Sequence, residues 1–240
     1  MDLLRQLYAI PSKSGREANI SSFVARYVKD MGLSLEVDNF GNLFIVKGSA
    51  QSYPCVTAHL DEVHTIESRT ICSDGEIIYA VDNEGRRVGL GADDKNGVWI
   101  ALKLLSELPV LKVVLFVEEE RDGELAGCRG SRACSIEWFH DVEYILAIDR
   151  KGASDVVILG KGGVVLCDDD FPPRDLLARY GYSCVEGGRT DVVALKERGL
   201  KQPCCNISCG YYNAHKEDEY TSISDLLNGY AFVREWLQRY

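Results

Sequence analysis

The sequence predicts an α/β protein: three layers, α/β/α, around a central, mainly parallel mixed sheet. Three observations carry that expectation. Short apolar runs of strand length, "PCVTAHLD", "KVVLFV" and "EYILAID", recur along the chain. Segments with helical apolar spacing lie between them, and strands interleaved with helices build sheets covered on both faces. Each of the three runs also stops in acid or histidine, and in such sheets ligands bind beyond the carboxyl ends of the strands.

The elements follow in order. "GREANISSFVARYVKDMG" places Ile20, Phe23, Val24 and Val28 at helical spacing, with Gly32 as the stop. "SLEVD" and "NLFIVKG" alternate as two strands joined by a turn over residues 39–42. "PCVTAHLD" is a buried strand. Between residues 70 and 90 the turn signals "SDGE" and "DNEGR" separate short β-like runs, a hairpin excursion. A helix from Lys95 to Leu108 and the strands "KVVLFV" and "EYILAID" come next. Shorter strands are expected over 155–159 and 162–167, and helices in "RDLLARYG" and "DVVALKERG". Cys204 to Ser208 read as a buried strand, and "SDLLNGYAFVREWLQRY" as an amphipathic last helix capped by Ser224.

Composition narrows the function. At 240 residues, 46% hydrophobic and 27% charged, the chain is expected to form a single globular domain over 1–240. A net charge of −10 argues against nucleic acid or an anionic membrane as the main partner. The first 20 residues lack a signal-peptide apolar core, and no stretch reaches transmembrane length, which points to the cytoplasm. The nine cysteines are odd in number and lack CxxC spacing, so free thiols are expected rather than disulfides or a zinc ribbon.

Several residues at strand ends invite chemistry. His59 and Asp61 are two apart, on one face of an extended strand, so the carboxylate can orient the imidazole. Asp93 and Asp94 stand side by side in "GLGADDKNG", where a loop enters a helix. The helix dipole accounts for one aspartate better than for two. The Glu118–Glu120 run follows "KVVLFV", Asp149 ends "EYILAID", and His215 lies in "YYNAHKEDEY". Taken singly, each passes as a surface or turn residue. Together they supply imidazole nitrogens and carboxylate oxygens for two cations, with one glutamate left over as a base.

Their order resembles that of the co-catalytic zinc exopeptidases, among them peptidase T, bacterial leucyl aminopeptidases and the tetrahedral aminopeptidases. The resemblance rests on His59-Leu60-Asp61, Gly91-Ala92-Asp93-Asp94, the Glu118–Glu120 run, Asp149, and His215 with Glu219. The flanks "SGRE", "DNFGNLF", "GGRTD" and "HKEDEY" are similar too, so it runs almost the whole chain. It implies that Asp93 bridges two divalent metals, zinc first, with cobalt or manganese as alternatives. His59 and Asp149 would hold one ion; His215 and Glu120 would hold the other. Asp61 would orient His59, Glu119 would be the general base, and the Asp93–Asp94 bond would be cis. The glutamate register follows from placing Gly123 nearest the family's glycine, the alternative being Glu118 and Glu119. Unlike many relatives, this sequence has no internal stretch long enough for an inserted lid or dimerisation domain.

The activity so implied is amide hydrolysis on a small peptide, as an aminopeptidase or dipeptidase. A deacylase of N-acyl amino acids and an inactive binding protein on the same fold are the alternatives. The oligomeric state stays open. His64, five after His59, is expected as a loop residue, the alternative being that it reaches the site from that loop; His140 is expected in a structural role, and Arg189 of "GGRTD" either exposed or facing a substrate carboxylate.

Overall fold

In this computed structural model, residues 1–121 and 127–239 are described. The chain opens with α1 (Asp2–Ala9) and α2 (Ala18–Asp30), then β1 (Leu35–Val37), β2 (Leu43–Lys47) and β3 (Tyr53–His59). The excursion forms β4 (Thr70–Ser73), β5 (Ile77–Val81) and β6 (Arg87–Val88). It leads into α3 (Ala92–Glu107), β7 (Leu111–Phe116), α4 (Arg129–Ala133) and β8 (Val142–Arg150). Next come β9 (Asp155–Gly160), β10 (Val164–Val165), α5 (Arg174–Tyr180) and β11 (Ser183–Glu186). The last are α6 (Asp191–Glu197), β12 (Cys204–Ser208), β13 (Tyr211–Tyr212), β14 (Tyr220–Ser222) and α7 (Ile223–Leu237).

Nine strands form the main sheet in the order β1-β2-β7-β3-β8-β12-β9-β10, with β11 alongside β9. Its middle, β7-β3-β8-β12, is parallel, while β1, β2, β9 and β10 join antiparallel. Continuous apolar runs within the central strands explain why both faces are covered. On β7, Val113 and Leu115 enter one core while Val114 and Phe116 enter the other. On β8, Leu146 and Ile148 alternate in the same way with Ile145 and Ala147. α1, α2, α3, α5 and α7 pack on the first face, α6 on the second. This is the mixed three-layer sandwich that the apolar runs predict.

The most buried helix is α3, whose residues from Ala92 to Leu102 are all enclosed. On α7, the fully buried Phe232 lies between Tyr182, stacked at 4.3 Å, and Trp236. Burial of such a ring is worth about 1.5–3 kcal/mol. A second, five-stranded antiparallel sheet, β13-β14-β5-β4 with β6 on β5, joins the excursion to the segment that carries His215.

Three expectations are corrected. The cap of α7 is Ser222, whose hydroxyl accepts from the Asp225 N–H; β14 runs straight into the helix and leaves Ser224 inside it. The strand expected over 162–167 is only Val164–Val165, after a 3-10 turn over Lys161–Gly163. His140 is exposed, its side chain 73% accessible, with its ring bonded to the Glu137 carbonyl in the adjoining turn. All nine cysteines are free, and seven are buried. Among the described residues no helix is long and apolar enough to cross a membrane.

Candidate metal centre

Strand register brings the candidate residues together. His59 ends β3 level with Phe116 at the end of β7. On the other side Thr57 pairs with Ala147, so His59 comes level with Asp149 near the end of β8. Beyond Phe116 the chain is pinned to the start of α4: the N–H groups of Cys128, Arg129 and Gly130 donate to the carbonyls of Glu119, Glu118 and Val117. Asp93 arrives at the irregular first turn of α3, where it and Asp94 have non-helical backbone angles, and His215 on the loop between β13 and β14.

The peptide bond between Asp93 and Asp94 is cis. The two carboxylates separate there. Asp94 turns inward and accepts from the N–H groups of His59 and Gly97, both at 3.1 Å. Asp93 turns outward: one oxygen lies 3.1 Å from His59 Nε2, the other 3.4 Å from His215 Nε2. His59 Nε2 is also 3.4 Å from Asp149, and His215 Nε2 is 2.5 Å from Glu120. Two groups of side chains could each hold an ion: His59, Asp93 and Asp149, and Asp93, Glu120 and His215, with ligand atoms within 4.8 Å in each. Asp93 belongs to both. A third such group, His59, Glu119 and Glu120, overlaps them.

Asp61 is fully buried behind His59, one oxygen 3.3 Å from Nδ1. It does more than face the imidazole. It accepts from the Ser14 hydroxyl at 2.6 Å and from the Glu119 and Glu120 N–H groups at 2.9 Å. One carboxylate therefore sets both the ring and the backbone that presents two glutamates. Glu118 leaves the site; its carboxylate pairs with Arg129 and, at 3.8 Å, with Arg121. Gly123, which guides the register in sequence, lies outside the described residues. Glu118 and His215 have φ of +55° and +67°, a region uncommon outside glycine and held only where surroundings fix it.

Five further residues surround the group, and a local reading of the sequence does not show how. Glu219, fully buried, accepts from the N–H groups of Leu90, Gly91 and Asp93 and so fixes the segment that carries Asp93. His64 points at Glu219, 3.1 Å away, and belongs to neither ion-holding group. The Cys128 thiol donates to Glu119 at 3.1 Å, and the Asn206 side chain brackets the Asp149 backbone. Asp191, bonded to the Ser131 hydroxyl, adds a buried carboxylate nearby. The only signal in sequence for Glu219 is its place four residues after His215, and nothing local shows that it reaches residues 90–93.

Electrostatics test whether these residues fit a cation. Burial alone would lower the His59 pKa, yet its bonds to Asp149, Asp61 and Asp93 raise it well above the ordinary value. Burial would raise Asp93, but the two histidines hold it low. Glu119 is pushed up by burial and by the charges of Asp149 and Asp191. Burial likewise lifts Glu120, and takes Asp149 and Asp191 to about 7. Six carboxylates, all largely shielded from water, thus crowd two imidazoles, an environment that a divalent cation relieves. The oxygen and imidazole donor set suits zinc and its neighbours. A pocket of about 330 Å³ opens on the group, lined also by Arg150, Lys151, Arg189 and Tyr211.

No protein-family profile matches the chain. Among curated proteins it is 27% identical over 168 residues to a LysW-lysine hydrolase of Deinococcus radiodurans, covering 68% of this chain and 43% of that protein. It is 26% identical over 182 residues to the cytosol non-specific dipeptidase of Escherichia coli, covering 68% and 35%. The chain thus spans less than half the length of the curated relatives it matches. In structure, a tripeptidase from Staphylococcus aureus superposes with a TM-score of 0.83 over 99% of this chain and 96% of its own, at 16% identity. The chain thus has the fold of the peptidase T-like structures, and over about two thirds of its length its sequence is similar to a hydrolase and a dipeptidase.

Proposed function

We propose that the chain is a single catalytic domain that hydrolyses peptide bonds with two divalent cations, most simply zinc, as an aminopeptidase or dipeptidase. The observation that carries this reading is Asp93, whose two oxygens face two histidines, each with its own further carboxylate. His59 and Asp149 would hold one ion and His215 and Glu120 the other, with Asp93 common to both sets. Bound there, the ions supply Lewis acidity to the scissile carbonyl and acidify a water molecule. Glu119, left outside these two sets, would accept a proton from the attacking water and deliver it to the leaving amine. Asp61 keeps His59 in the tautomer that turns Nε2 toward the ions. Nine free cysteines support a reducing compartment, hence the cytoplasm.

Metal content and hydrolysis of a small panel test the reading together. The panel holds free-amine dipeptides and tripeptides beside N-acyl amino acids. About two ions per chain and chelator-sensitive cleavage of the free-amine peptides are expected. Cleavage of the acyl amino acids alone would make the protein a deacylase. Failure to bind zinc, cobalt or manganese would leave a binding protein on a peptidase fold.

A further inference from the structure

A second pocket, of about 480 Å³, shares Glu120 with the metal centre and is otherwise of the opposite charge. Lys13, Arg16 and Arg121 line it with Thr65, and Glu120 is the one acid among its described lining residues. This is unusual ground in a chain of net charge −10. Among the described residues the cations have few anionic partners: Lys13 donates to the Thr65 hydroxyl, and Arg121 lies 3.8 Å from Glu118, which also pairs with Arg129.

The loop that presents them is built in. Its Ser14 N–H donates to the Glu62 carbonyl, the Lys13 and Glu62 backbones pair as a single parallel β-bridge, and the Ser14 hydroxyl bonds Asp61 behind the metal centre. Gly15 has φ of +82°, and a Cβ there would stand 2.0 Å from an Arg121 guanidinium nitrogen. The glycine thus lets Arg121 seat over the loop. Guanidinium and ammonium groups gathered on one pocket favour an oxyanion, and a carboxylate is the one a peptide carries.

We propose that Lys13, Arg16 and Arg121 form a carboxylate subsite for a short peptide whose scissile bond lies at the metal centre. The position of that bond rests on the hydrolase reading; the subsite does not. An extended residue spans about 3.5 Å, so a pocket that begins at Glu120 takes a carboxylate only one or two residues beyond the cleaved bond. That favours dipeptides and tripeptides over long chains. The carboxylate comes either from the peptide's C-terminus or from an acidic side chain.

Equilibrium binding separates these cases. Metal-loaded protein carrying Glu119→Gln keeps the peptide intact, and calorimetry then compares trialanine, trialanine amide and an amidated peptide with one glutamate. Trialanine is expected to bind about 10- to 100-fold more tightly than its amide, the scale of a charge-assisted contact. The preference should shrink at high salt, because the cations are exposed. It should vanish when Lys13→Ala and Arg16→Ala are added, and reverse with Arg16→Glu if the alanine variant misfolds. Recovery of tight binding by the glutamate-bearing amide would assign the subsite to an acidic side chain. Equal or undetectable binding of all three peptides, or a preference that survives the double variant, overturns the subsite. A clear preference without cleavage of trialanine by the wild-type protein would instead count against the hydrolase reading alone.

Discussion

Glu119 and Glu120 are neighbours with different surroundings, and on the proposed reading the difference gives them different work. Glu120 reaches His215 and shares a group with Asp93; Glu119 sits among Asp149, Asp191 and the Cys128 thiol. A base has to be near the ions without being needed to hold them. Glu119→Gln is therefore expected to lower kcat by about 10² to 10⁴ while metal content stays at the wild-type level. Loss of an ion in that variant would make Glu119 a ligand instead. Metal counting also separates Asp93 from its neighbours. Asp93→Ala removes the carboxylate common to both groups and should abolish binding of both ions, whereas His215→Ala should spare the ion held by His59 and Asp149. If His215→Ala loses both ions and Asp93→Ala only one, the shared role belongs elsewhere.

At the scale of elements, the site depends on how tightly the entry to α3 is held. Glu219 accepts three backbone N–H groups from that segment, and Gly91 permits the path: at φ +69°, a Cβ would stand 2.1 Å from Glu62. Glu219→Ala leaves those donors without their acceptor. It is expected to cost about 1–3 kcal/mol in denaturant unfolding and to weaken metal affinity by about 10- to 100-fold, although Glu219 is in neither ion-holding group. A variant with lowered stability and unchanged metal affinity would show that the clamp does not reach the site. These contacts also mark what a sequence discloses. The ends of β3, β7 and β8 were legible because buried parallel strands are continuous apolar runs, and a histidine or acid at the end of one stands out. Residues 90–93 and Glu219 were not, because hydrogen bonds across more than a hundred residues leave no local period. β13 and β14, two and three residues long, are too short for alternation to show. Ser224 looked like a cap because the continuation of β14 into α7 is set by pairing with β5.

The whole molecule is joined behind the site by one buried ionic cluster. Glu62 pairs with Arg69 at 2.7 Å and Lys95 at 3.0 Å, all three at most 9% exposed. Arg69 also donates to the carbonyls of Tyr8 and Gly89, Lys95 to that of Ile10, and Glu62 accepts the Ser12 N–H. The N-terminal arm, the approach to the second sheet and α3 thus meet on one carboxylate. Burial would raise Glu62, but Lys95 and Arg69 lower its pKa from 4.5 to about 2. Lys95, held by burial near 8, stays charged through the acid range. A carboxylate with a depressed folded pKa stabilises fully above its unfolded value and loses that contribution as pH falls through the folded one. Here the window runs from about 4.5 down to about 2, and the difference corresponds to roughly 3 kcal/mol. Glu62→Gln lacks this contribution at every pH and leaves two buried cations without their anion, so at neutral pH it should be destabilised by about 3–5 kcal/mol. Its deficit against wild type should narrow as pH falls below about 4.5, since only the wild type has Glu62 left to protonate. Denaturant unfolding of both proteins, carried down in pH as far as each stays folded, measures that difference directly; other titrating groups are common to both and largely cancel. Stability curves that remain parallel below pH 4.5 would mean that Glu62 enters the folded state uncharged or keeps its ordinary pKa, and that the three segments are joined there by packing alone.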